Sequence, residues 1–136
     1  MLVVGYDGSD GADSALGVAL ELGRGLGEPL LIAFAAQPPG RSVGDEYRAH
    51  LATLSERGRE LTESAVARAV QAGVTAEAVV ADRKVVDLLL DLADEHGARM
   101  IVVGTYGESP LRGAVLGSTP HKLLHLSRVP VLAVPA

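Results

Sequence analysis

Five short apolar runs, separated by segments of helical periodicity, leave this chain few folds to choose from. Leu2 to Tyr6, Leu30 to Ala35, Val74 to Ala81, Met100 to Val103 and Val129 to Val134 each read as a strand. Between the first two, Ala12, Ala15, Leu16, Ala19, Leu20 and Leu22 recur at helical spacing. Ser9 or Asp10 can cap that helix, and Gly23, Gly25 and Gly27 end it where left-handed backbone is cheapest. A long helix is expected from about Asp45 to Ala72, with its charges mostly off the apolar face and Gly73 closing it. Val85 to His96 is a third helix, with Leu88, Leu89 and Leu92 on one side, and Thr119 to Ser127 is a fourth. Such alternation implies an α/β fold: a five-stranded parallel sheet with right-handed crossovers and helices on both faces. The runs are continuously apolar, as strands buried on both faces require.

The chain has 136 residues, enough for one domain over 1–136 without a covalent staple. It has no cysteine, which removes disulfides, thiolate metal sites and cysteine nucleophiles together. The formal net charge is −5 and no basic stripe is visible, so a nucleic-acid partner is not expected. Aromatic residues make up 3 % of the chain, too few for a base-stacking platform. No apolar run approaches the length of a membrane span, and Met1 leads almost directly into the first strand. The expected location is cytoplasmic.

In an open parallel sheet, ligands bind beyond the carboxyl ends of the strands, where the strand order reverses. Two strand ends stand out. The first closes on Asp7-Gly8-Ser9. The fourth runs into Gly104-Thr105-Tyr106-Gly107 and, nine residues later, Gly117-Ser118-Thr119. Gly104 would let the chain turn off the strand, and Gly107 would let backbone approach a ligand. Gly117 and Ser118 open a helix, where free N–H groups and the dipole suit an anion. Ser118 and Thr119 add hydroxyls, and Arg112 could reach a phosphate. The plain alternative is a tight loop in which Ser118 only caps the helix, and Asp7 has a similar alternative as a turn residue.

The segment Ile101-Val102-Val103-Gly104-Thr105-Tyr106-Gly107, with Leu111, Leu116-Gly117-Ser118 and Val129 to Val134, resembles the universal stress protein family. Val3-Val4-Gly5-Tyr6-Asp7-Gly8-Ser9 is similar to that family's first strand and turn. The resemblance covers the whole chain, and the Gly-x2-Gly-x9-Gly-Ser spacing resembles the branch that binds ATP. It implies a Rossmann-like sheet of the adenine nucleotide alpha hydrolase-like kind, with strand order 3-2-1-4-5. It implies that Asp7 lies by the ribose and adenine with Gly5 beside it, and that Ala35 and Val103 face the base. Gly104, Gly107, Gly117, Ser118 and Thr119 would surround the phosphates of ATP or a related adenine nucleotide, with or without Mg2+. It further implies a homodimer through the C-terminal strand, Val129 to Val134, which would otherwise be an uncovered edge. Glu108 and Pro120 depart from the family pattern: one adds a carboxylate near the phosphates, and the other removes an N–H donor.

No residue is placed as a general base, so the expectation is a regulatory ligand with at most slow hydrolysis and no catalytic residue. The alternatives are an interaction module without nucleotide and a weak ATP hydrolase. His121 and His125 stand four apart, but Lys122 occupies the position where a zincin helix has glutamate, and no third ligand accompanies them. Gly23-Arg24-Gly25-Leu26-Gly27 ends a helix instead of opening one, so it is no dinucleotide fingerprint. Neither a P-loop nor a nucleophile elbow is present.

Overall fold

The computed structural model describes residues 1–38, 43–106 and 116–136. The chain runs β1 (Leu2–Gly5), α1 (Asp10–Leu26), β2 (Leu30–Ala35), α2 (Gly44–Gln71) and β3 (Ala76–Ala81). It continues through α3 (Val85–His96), β4 (Met100–Gly104), α4 (Ser118–Leu126) and β5 (Val131–Val134). The strands form one sheet in the order β3-β2-β1-β4-β5, and every pairing is parallel. In the register, Val3 of the central strand lies between Leu31 and Ile101.

Successive side chains of β1 enter opposite layers, because a strand repeats every two residues. Leu2 and Val4 pack with Ala15, Leu16 and Ala19 of α1 and with Ala65 and Ala69 of α2. Val3 packs with Leu88, Leu89 and Leu92 of α3 and Leu123 of α4. All three β1 residues are fully buried, which is why the strand reads as an unbroken apolar run. Helix α1 is capped as the sequence suggests. The Ser9 hydroxyl accepts the Ala12 N–H at 3.2 Å, and Gly27 ends α1 in the left-handed region at φ 67°.

β2 and α3 have the limits read from the sequence. Two strands start later than expected. Val74 is apolar and buried, but its N–H donates to the Ala69 carbonyl at 2.8 Å and so closes α2 instead of joining the ladder. Val129 sits in a turn in which its N–H donates to Ser127 Oγ at 3.1 Å, so β5 begins at Val131. At α4 the helix begins at Ser118, one residue early, with Gly117 as the N-cap.

The helix-interior glycines differ in whether contacts require them. A Cβ on Gly58 of α2 would lie 2.5 Å from the Phe34 ring, whereas one on Gly17 of α1 would meet nothing within 4 Å. Gly58→Ala is therefore expected to lose about 1–2 kcal/mol despite its better helix propensity, because the buried ring must move. Gly17→Ala is expected to gain about 1 kcal/mol. Thermal melts of the two variants check this, and a stabilised Gly58→Ala would refute the packing argument.

Candidate functional site

A cleft of about 250 Å³ opens at the carboxyl end of the sheet, beside the ends of β1 and β4. This is the switch point: β1 leads through α1 to β2 on one side, while β4 lies on its other side. Of the residues singled out from the sequence, Gly5, Asp7, Ala35, Val103, Gly104 and Thr119 line the cleft. Gly117 and Ser118 lie outside the lining, immediately before Thr119 at the start of α4. Gly107, Glu108 and Arg112 fall outside the described residues.

The floor is apolar. Gly5 is closely covered, since a Cβ there would meet Leu89 and Val103 side-chain atoms at 3.1 Å. Ala33, Phe34, Ala35, Val85 and Val103 continue the apolar lining. Asp7 is the one charged side chain among the described lining residues. Its Oδ1 accepts the Ser9 N–H at 2.9 Å, and Gly8 between them takes φ 82°, a left-handed conformation that suits glycine. Asp7 thus closes the turn and borders the cleft at once; the two readings of its role are compatible.

The chain leaves the strand at Gly104 and bends at Thr105, but Gly104 takes no positive φ. The reason for glycine is contact: a Cβ would lie 2.8 Å from the carbonyl carbon of Gly11 and 2.9 Å from its oxygen. Gly11 faces the same constraint, since its own Cβ would lie 2.4 Å from the Tyr106 carbonyl oxygen. Gly117 is held similarly. Its N–H donates to the Thr105 carbonyl at 2.6 Å, and a Cβ would lie 2.9 Å from that oxygen. These glycines bring backbone against backbone around the cleft.

The opposite wall is tied to the helices by Tyr6. Its hydroxyl donates to Asp13 Oδ1 at 2.6 Å, and Arg68 of α2 donates to the same oxygen at 3.4 Å. Burial first, and then the Asp13 hydrogen bond, push the Tyr6 pKa up to about 12. A tyrosine ionises near 10 when unfolded. The folded value is the higher one, so the stabilisation is complete below pH 10 and is lost as pH rises toward about 12. Tyr6→Phe is expected to remove this alkaline loss and to reduce the late step in phenolate absorbance, to which Tyr47, raised by its hydrogen bond to Asp82, also contributes. A variant with the wild-type alkaline limb would contradict it.

Sequence reasoning missed several lining residues. Phe34, Val85, Ala33 and Ala12 look like ordinary core residues, and Ser9 like a cap. A usable signal was available for Phe34, the chain's single phenylalanine, next to Ala35 at the carboxyl end of its strand. Among the described residues, no group of three His, Cys, Asp or Glu side chains could hold a metal ion, and no helix is long and apolar enough to cross a membrane.

A five-stranded doubly wound sheet with a cleft at its switch point defines a Rossmann-like α/β protein. A family model describing the Universal stress protein family matches residues 1–135. The chain belongs to the universal stress protein family. Universal stress protein YxiE of Bacillus subtilis is 31 % identical over 146 residues, spanning 98 % of this chain and 97 % of the relative. A solved universal stress protein in complex with cAMP is 31 % identical, with a TM-score of 0.71, and the match covers 98 % of this chain and 94 % of that one. The universal stress protein of Archaeoglobus fulgidus in complex with dAMP is 26 % identical, with a TM-score of 0.72, covering 98 % and 95 %.

Proposed function

We propose that the cleft binds an adenine nucleotide as a regulatory ligand. The observation that carries this reading is the composition of the cleft: an apolar floor, one carboxylate at its edge, and the start of a helix at its rim. A flat base suits the surfaces of Gly5, Ala35 and Val103, and the free oxygen of Asp7 suits a ribose hydroxyl. The phosphate end falls to Gly104, Ser118 and Thr119, joined in this proposal by Gly107, Arg112 and Gly117. The relatives solved with cAMP and dAMP support the adenine class. ATP belongs to the same candidate set. A lone carboxylate fits a Mg2+ ion that arrives on the phosphates, as such ions usually do, better than one held by the protein alone. With Asp7 engaged by the ligand and the turn, turnover would be slow, and ligand occupancy would act by shifting conformation or partner binding.

The test is to purify the protein, denature it and identify released nucleotide by mass, then titrate AMP, cAMP and ATP by calorimetry. Absence of both released nucleotide and binding heat would remove the reading. A second role is compatible with the first. β5 is a sheet edge, and Leu124 and Leu126 nearby in sequence on α4 are 55 % and 60 % exposed. Pairing of the Val129 to Val134 segment with its copy in a homodimer would cover that edge. Sedimentation at micromolar concentration checks it, and a monomer would refute it.

A further inference from the structure

We propose that the cleft prefers adenine nucleotides bearing a single phosphate over the triphosphate, and that Pro120 is the residue that sets this preference. The inference rests on the adenine-nucleotide reading and deepens it. A helix normally offers four free N–H groups at its start, and these are what hold phosphate oxygens. At α4 two of the four are gone. The Gly117 N–H is spent inside the fold on the Thr105 carbonyl, at 2.6 Å. Pro120, the third helical residue, has no N–H at all. His121 already belongs to the helix ladder, donating to the Gly117 carbonyl at 3.2 Å. The N–H groups of Ser118 and Thr119 are left, without an acceptor among the described residues.

Two donors suit one phosphate, and a longer chain of phosphates finds no further N–H on this helix. Pro120 is buried and lines the cleft, so the missing donor is missing at the wall itself. A second observation agrees. Among the described lining residues the one charged side chain is the Asp7 carboxylate, and no cation stands there to offset added phosphate charge.

The test is calorimetric titration of the full chain with AMP, ADP and ATP, the last two with and without Mg2+. AMP is expected to bind at least fivefold more tightly than ATP. Pro120→Ala and Pro120→Ser restore the N–H. Each is expected to raise ATP affinity by roughly tenfold, the effect of one hydrogen bond to a charged group, while changing AMP affinity less than twofold. Tighter ATP than AMP binding in the unaltered protein overturns the inference and leaves the nucleotide reading standing. Equal gains for AMP and ATP in the variants overturn the role of Pro120. Failure of all three nucleotides to bind overturns the nucleotide reading and this inference together. If either variant melts early, the AMP-to-ATP ratio of the unaltered protein still decides the preference.

Discussion

Gly104→Ala is expected to lower the melting temperature by roughly 10 °C, corresponding to a loss of about 3 kcal/mol in a chain of this length. The added methyl would meet the carbonyl carbon and oxygen of Gly11 at 2.8 and 2.9 Å. Both partners are backbone, so no rotamer change relieves the clash; α1 must move away from β4. That displacement disturbs the layer containing Ala12, Ala15 and Leu16, all buried. Circular-dichroism melts of the variant and the parent are the measurement. An unchanged midpoint would show that the two segments separate freely, and the close contact would then not explain the glycine. The same logic applies to Gly117→Val. Its side chain would press on Thr105 and Tyr106 backbone, so any loss of binding would come mixed with a loss of stability.

Substitution of Asp7 gives the largest expected change in ligand affinity. The proposed reading gives the carboxylate a ligand contact beside its turn hydrogen bond, and two variants separate them. Asp7→Asn keeps an oxygen that can accept the Ser9 N–H, so the turn survives, while the charge is lost. Asp7→Ala loses both, with a further stability loss of about 1 kcal/mol for the missing turn bond. Both variants are expected to weaken adenine-nucleotide binding by roughly 10–100-fold, the range for a hydrogen bond to a charged group. Only Asp7→Ala should melt earlier. Calorimetry and melting curves on the same samples check the pair. An Asp7→Asn protein that binds as tightly as the parent would confine Asp7 to the turn.

The fold was largely legible because its signals are redundant. At α3 the leucine spacing and the left-handed Gly97 agree on where the helix ends. At β2 a run of six buried or nearly buried residues is bounded by turns. The errors fell on Val74, which is buried, and Val129, which is half-buried, each held by a turn and not by the ladder. Hydrophobicity reports burial, and only hydrogen bonding tells a ladder from a turn. The cleft was legible where chemistry marks a residue, as at Asp7 and Thr119. It was illegible at Val85 and Phe34, whose side chains are equally at home in a core. Gly11 shows the deeper limit: no motif contains it, and its need for glycine exists only once β4 lies against α1.

The meeting of Gly11 and Gly104 has a consequence for how such sequences diverge. The two positions answer first to steric exclusion between main-chain segments, whatever the cleft holds. A descendant chain that abandoned its ligand would still be compelled to keep both residues in order to fold. Glycine retention at these two sites is therefore a record of architecture, and loss of any ligand would register first at side chains that the fold does not need.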